Sequence, residues 1–375
     1  MVVEVVFVQR EKHRKINMRK ELNIFVDPQT HQSLKLKVSL LRGNHIIAGS
    51  LHGKNIAYPI INGIPRFINQ SNSLDFKKSK GEKQTAASFG SKWNDFRAQN
   101  YGIGSWDYNN LKEQFIALLG CKTLVELRNI FAKAKTTLNA GCGVAWSEYL
   151  FNFNQETQRH CVDISLAVET AFKKTKQLTN VVVSQASIFE LPYEDNSFDI
   201  VYSLGVIHHT SDPRKALKKL AVKLKQGGLM GVYIYNKKPF LRELADEAIR
   251  KITTKMTYKD CMSFSKKMTR LGESLSKISQ PLIIKEDIAL LGIKKGEYRA
   301  QRFLYDYFIK CWYGSNQDNA YADMVNQDWY HPFYASHHTK KEILGWFGEC
   351  GLTNIRCIQP KGWENSGYFI SGKKA

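Results

Sequence analysis

The 375-residue chain has no cysteine pair at CxxC spacing, no long apolar run and a shortage of carboxylates. Its seven cysteines (Cys121, Cys142, Cys161, Cys261, Cys311, Cys350 and Cys357) are scattered and odd in number. That excludes a disulfide-stapled scaffold and reads as reduced thiols in a cytoplasmic protein. No stretch reaches the roughly 18 apolar residues that span a bilayer. The opening segment, MVVEVVFVQREKHRKINM, places its charges after its apolar run, the wrong order for a secretory signal, and Met18 is an alternative start. Acidic residues number 34 against 55 Lys and Arg, a formal net charge of +21. Such a field favours anionic partners. The basic residues are spread along the chain, and no RGG tract, zinc finger or RNP signature accompanies them. Nucleic acid is therefore an alternative partner and not the favoured one.

What is present is ordinary globular composition, 43% hydrophobic and 24% charged, at a length that suggests two or three units. Residues 19–69 read as a small β-rich unit, with short apolar runs broken by Gly, Asn and Pro. Residues 70–87, rich in Ser, Asn and Lys, read as a linker. Residues 88–236 hold two helical patterns and then alternating strands and helices, which argues for a parallel sheet covered on both faces. In that stretch Asp212 and Pro213 open a helix that Gly227 and Gly228 end. Residues 237–337 read as a helical insertion, with helices around 240–256, 259–278 and 297–313. Residues 338–375 return to a helix and two strands, and Thr339 with Glu342 forms a capping box.

The strand "TTLNA" runs straight into Gly141-Cys142-Gly143-Val144-Ala145-Trp146. Tryptophan in the third glycine's place argues against a dinucleotide fingerprint. Asp163 ends the next strand, 20 residues after Gly143. "ASIFELPYEDNSFDIVYSLGVIHHTSDP" and "LKQGGLMGVY" follow in order. Together these four motifs resemble the class I S-adenosylmethionine-dependent methyltransferases of the small-molecule type. The resemblance implies a Rossmann-like α/β fold, a mostly parallel seven-stranded sheet with a helical insertion and the β-rich N-terminal unit. It also implies S-adenosylmethionine as cofactor. The glycines would bring backbone amides to its amino-acid end, and Asp163 would accept both ribose hydroxyl protons. Cofactor contacts would come from Asn139, Gly141, Cys142, Gly143, Asp163, Ile164, Ser187, Ile188 and Leu204. Phe89 and Trp93, in an aromatic segment before the core, would form a lid. Asn139 and Ser187 stand where that family usually has acids. Losing one charge-assisted contact costs about 1–3 kcal/mol, or about ten- to a hundredfold in affinity.

The segment "AYPIINGIPRFI" in the N-terminal unit is similar to the small zinc-ribbon activator subunit of methyltransferases. That ribbon carries two cysteine pairs. The first would fall on Asp27 and Thr30, and 46–55 has no cysteine, so no metal is expected.

Candidate catalytic residues are His209, His338 and Tyr330, a histidine being a suitable base for a hydroxyl acceptor. "QDWYHPFYASHHT" resembles the substrate mouth of similar enzymes and offers Asp328, His331 and Tyr334 for substrate. The aromatics of "RFLYDYFIKCWY" read as core of the insertion. The favoured function is O-, N- or C-methylation of a small or medium metabolite, a sugar derivative or lipid-linked intermediate being the suggested kind, with an anionic group suiting the basic charge. Methylation of RNA or protein is the second reading. Against base amino-group methylation, Leu204-Gly205-Val206-Ile207 stands where an Asn/Asp-Pro-Pro-aromatic tetrapeptide is usual. A non-catalytic binding protein is the third reading.

Overall fold

The computed structural model describes residues 24–43, 45–68, 80–94, 105–314, 319–360 and 366–375. Met18 and residues 70–79 of the expected linker lie outside them. Strands β1 (Lys35–Arg42), β2 (His45–His52), β3 (Ala57–Ile61) and β4 (Ile64–Pro65) form an antiparallel sheet in that order. Asp27 and Thr30, the positions matched to the ribbon's first cysteine pair, close a turn by hydrogen bonding. The Asp27 carboxylate accepts the N–H groups of Gln29 and Thr30 at 2.8 and 3.0 Å. An Asx turn thus supplies the local bend.

The main sheet contains β5 (Thr136–Ala140), β6 (Gln158–Asp163), β7 (Val181–Gln185), β8 (Phe198–Leu204) and β9 (Leu224–Tyr235). A short hairpin, β10 (Leu282–Ile284) with β11 (Gly296–Tyr298), interrupts the insertion, and β12 (Leu352–Ile358) and β13 (Gly367–Lys374) complete the main sheet. Its order is β12-β13-β9-β8-β5-β6-β7, and β13 runs antiparallel to both neighbours. Strands β5 to β8 are buried along nearly their whole length because both sheet faces are covered. The helices are α1 (Lys80–Asn94), α2 (Ser105–Leu118), α3 (Leu124–Lys133), α4 (Trp146–Leu150), α5 (Ala167–Thr175) and α6 (Pro213–Ala221). The insertion adds α7 (Phe240–Thr253), α8 (Tyr258–Ser276), α9 (Ala300–Tyr307) and α10 (Asn319–Tyr330), and α11 (Lys340–Glu349) returns to the core. Leu111, Phe115, Leu127 and Phe131 of α2 and α3 pack one core cluster; Leu217, Leu220, Ile343 and Phe347 of α6 and α11 pack the other. The chain leaves β5 towards β7 and then crosses back to β8, so strand order reverses beside β5. Ligand crevices in such sheets open at that reversal, outside the strands' carboxyl ends.

Several boundaries differ from expectation. Residues 80–87, expected as linker, form the first half of α1. Asp212 caps α6 by accepting the Lys215 N–H at 2.9 Å, but the helix stops at Ala221. Gly227 and Gly228 lie inside β9, at a register shift opposite Phe198 and Ile200, with Gly227 at φ +71°. The third insertion helix ends at Tyr307, and residues 308–314 continue as loop.

The N-terminal unit shares the main core. Val26 donates to the Pro192 carbonyl at 3.0 Å and Phe67 to the Gln185 carbonyl at 2.8 Å. Phe25 lies 5.1 Å from Phe67 and 5.4 Å from Tyr193, ring to ring. Phe25→Ala is expected to cost about 3–5 kcal/mol in urea unfolding, in one transition. Two transitions, with only the first shifted, would show that the unit folds apart from the sheet.

Candidate functional site

One cavity of about 380 Å³ opens at the carboxyl ends of β5, β6 and β8 and reaches into the insertion. Its outer half is lined by Gly141, Cys142, Gly143, Asp163, Ile164, Ser187, Ile188 and Leu204. Gly141 and Gly143 have φ values of +78° and +54°, a backbone form that disfavours side chains. A Cβ on Gly141 would stand 2.3 Å from Val206, and one on Gly143 would stand 3.1 Å from the Trp93 ring. The loop amides differ from expectation. Gly141 and Cys142 donate to the Val162 carbonyl at 2.7 and 3.0 Å, and Gly143 donates to Asp163 Oδ2 at 2.9 Å. They therefore tie the loop to the end of β6. Asp163 also accepts the Ser165 N–H and hydroxyl at 2.8 and 2.7 Å. Burial pushes its carboxyl above the ordinary range, and the Ser165 and Gly143 bonds oppose that rise.

Asn139 does not line the cavity. It is buried under the loop, where Nδ2 donates to both oxygens of Glu148 at 3.3 and 3.1 Å. Glu148 is fully buried and also accepts the Ser147 hydroxyl at 2.8 Å and the Tyr202 hydroxyl. The negative charge missing at position 139 thus comes from α4, nine residues later. Ser187 lines the cavity while its Oγ accepts the Phe189 N–H at 3.2 Å.

Helix α1 forms one wall through Phe89, Lys92 and Trp93. Lys92 pairs with Asp328 and lies 4.1 Å from the Trp93 ring centre. Burial raises the Asp328 carboxyl, and Lys92 opposes this. Phe89 meets His209 edge-on at 4.9 Å. His209 lines the cavity, and its Nδ1 lies 2.7 Å from the Tyr334 carbonyl. A carbonyl only accepts, so Nδ1 carries the proton and neutral Nε2 keeps its lone pair. Desolvation lowers this imidazole to about 3. His208 is different: it stacks on Tyr235 at 3.6 Å and accepts the Tyr235 N–H at 3.3 Å.

Four other expected site residues lie elsewhere. Tyr330 is fully buried in the insertion core, donating to the Lys310 carbonyl at 2.6 Å. His338 Nε2 bonds Ser336 at 2.8 Å, away from the cavity lining. His331 lies between Ser88 Oγ, 2.7 Å from its Nδ1, and the Met256 carbonyl, 3.2 Å from its Nε2. Tyr334 offers its backbone to the site: its N–H donates to Thr85 at 3.2 Å and its carbonyl holds His209. Gln84 completes this clamp by donating to the His331 carbonyl at 2.7 Å and accepting the Phe333 N–H at 2.6 Å. The segment expected to contact substrate therefore fastens α1 over the cavity.

Of the inner half, Asp328 was expected and the aromatic walls were not. Tyr233, Tyr235, Tyr305, Trp312, Tyr321 and Trp329 line that half, with Lys310. Tyr305, Lys310 and Trp312 belong to the run read as core. The lysine amid those aromatics was the available signal.

Six histidines lowered by burial make stability acid-sensitive, His160 and His209 among them. His160, packed among Phe25, Tyr193 and Phe198, is lowered to about 3 by burial, as is His209. Unfolded, each binds a proton near pH 6.5; folded, each resists until about pH 3. The unfolded state therefore holds more protons between those values, and stability falls as pH drops through 6.5. Urea midpoints at pH 7.5 and 5.5 should differ by about 1 kcal/mol for each imidazole, and His160→Gln should reduce the difference.

Among the described residues no helix is long and apolar enough to cross a membrane. Residues 138–232 match the family model described as a methyltransferase domain, so the chain carries such a domain around β5 to β9. A protein named uncharacterized methyltransferase YcgJ, from Bacillus subtilis, is 32% identical over 99 residues, covering 24% of this chain and 36% of that one. A tRNA U34 carboxymethyltransferase of Campylobacter curvus is 32% identical over 98 residues, covering 25% and 32%. The chain thus spans about a third of the length of these curated relatives. A solved Thermotoga maritima methyltransferase, described as a possible histamine N-methyltransferase, aligns over 76% of this chain and all of its own at 15% identity and TM-score 0.36.

Proposed function

We propose that the chain is an S-adenosylmethionine-dependent methyltransferase acting on a small or medium metabolite. The observation that carries this reading is a single cavity joining the glycine loop and Asp163 to a buried aromatic chamber. The residues present suit the cofactor. Asp163, which already accepts three hydrogen bonds, keeps a lone pair on Oδ2 at the end of β6 for a ribose hydroxyl, and Ile164, Ile188 and Leu204 offer apolar surface for a flat base. Gly141 and Gly143 leave room that a side chain would fill. Bound there, S-adenosylmethionine supplies an electrophilic methyl group on a sulfonium.

The protein's part is alignment and exclusion of water. Phe89 and Trp93 on α1 cover the cavity, and the Lys92–Asp328 pair ties α1 to α10. His209 holds its proton on Nδ1 and keeps Nε2 as a hydrogen-bond acceptor that orients the attacking group. Burial leaves it neutral, so it engages the acceptor without adding charge.

RNA is the second reading, favoured by the net charge of +21 and by the tRNA-modifying relatives. The enclosed aromatic chamber favours the first. Incubation with methyl-labelled cofactor and fractionated cell extract separates them. Label is expected in the low-molecular-mass fraction. Label in RNA, with a salt-sensitive RNA complex, would replace the small-molecule reading.

A further inference from the structure

Lys310 is 6% exposed, yet it forms no ion pair with any described carboxylate. Its Nζ lies 3.1 Å from the Tyr305 hydroxyl, and the ring centres of Trp329, Tyr305 and Trp312 stand 4.8, 5.0 and 5.9 Å from it. Rings stabilise a cation but do not replace a counter-ion. Among the charged side chains lining the inner half, Asp328 pairs with Lys92, and Lys310 feels Asp328 only through space, with no ion pair of its own among the described residues. Two more buried basic side chains stand behind the chamber, Lys238 with its charged form disfavoured by burial. The Arg242 guanidinium lies 5.2 Å from both the Tyr305 and Trp329 rings, and Lys238 Nζ lies 5.4 Å from Trp329. Arg242 Nε engages Asp246 at 2.7 Å, while its Nη2 is buried without a partner. The local field is strong. Burial raises the Tyr305 phenol, but Lys310, Arg242 and Arg302 pull it down further, leaving it below its ordinary value.

Three aromatic rings around an ammonium without an ion pair, in a chamber lined by three more, select for both shape and charge. We propose that the inner half binds a methyl acceptor with a ring-shaped apolar body and one anionic group, carboxylate or phosphate, the anion held by Lys310 and the ring stacked between Trp312 and Trp329. This rests on the methyltransferase reading for the name acceptor, but anion binding is testable without it. The anion completes the charge balance that the fold leaves open, and the rings exclude water from the pair. Large flexible acceptors such as folded RNA are disfavoured by the same walls.

The test titrates the full-length protein, loaded with S-adenosylhomocysteine, with 4-hydroxybenzoate, phenyl phosphate and neutral 4-hydroxybenzamide, following tryptophan fluorescence and heat. At least one anion is expected to bind about tenfold or more tighter than the amide. Lys310→Met should remove that preference, and Lys310→Arg should keep most of it. Preference for 4-hydroxybenzoate assigns a carboxylate, and preference for phenyl phosphate assigns a phosphate ester. Equal binding of amide and anions by the unaltered protein, or no binding at ~10 mM, overturns the proposal without reliance on any variant's folding. So does an anion preference that survives in a folded Lys310→Met protein. S-adenosylhomocysteine affinity, read in the same titrations, separates the two ideas. Its absence with retained anion preference defeats the methyltransferase reading alone.

Discussion

Asn139→Asp is expected to lower stability by about 3–5 kcal/mol, although it restores the residue type that the resembled family carries there. The new carboxylate would take the place of an amide that now donates to Glu148 at 3.1 and 3.3 Å. Two ionised carboxylates that close, both out of water, repel strongly, so one must bind a proton. The pair's raised proton affinity in the folded state makes the deficit shrink as pH falls and grow as pH rises. Urea midpoints of parent and variant at pH 8 and pH 5.5 measure this. An unchanged midpoint with tighter cofactor binding would show that position 139 reaches the cofactor and that the Glu148 assignment is wrong.

The second large effect is on binding. Asp163→Ala is expected to weaken S-adenosylmethionine about ten- to a hundredfold, because the proposed charge-assisted hydrogen bond to a ribose hydroxyl is lost. It also strips the Gly143 N–H and the Ser165 N–H of their acceptor, leaving the loop tied to β6 only through Gly141 and Cys142. Asp163→Asn separates these contributions: its Oδ1 can keep one loop bond while the charge is gone. Calorimetry of the parent and both variants reads the affinities, and equal affinities would remove Asp163 from the ribose role.

Strand ends were legible in the sequence, and with them the outer half of the cavity. Gly141, Asp163, Ile188 and Leu204 sit where a parallel strand stops, and apolar runs bounded by glycine or acid mark such stops well. The glycine loop was harder. Its glycines fit close backbone approach, but three of its amides turn to Val162 and Asp163. Asn139 misled for a related reason. A strand residue's outward or inward aim is visible as alternation, but its partner nine residues on is not.

The insertion was least legible. On α10, Asp328 and Trp329 face the cavity, whereas Tyr330 points into the helical core, since successive helix residues turn by about 100°. A polar, aromatic run therefore cannot present every member to substrate. His331 and Tyr334 went to fastening α1, and the contacts that fix them come from Ser88 and Thr85, more than 240 residues earlier. Lys310 and Trp312 reach the cavity from residues 308–314, which leave the helix that periodicity would extend. Such long-range placements depend on packing between segments and leave little mark in either one.

The central claim is that the cavity at the glycine loop is a cofactor site. Titration of S-adenosylmethionine into the unaltered full-length protein by calorimetry tests it most directly. The account predicts one saturable site per chain, with a dissociation constant of about 1–100 µM. No detectable heat at about 1 mM ligand, by a protein whose cooperative unfolding shows it to be folded, would contradict it.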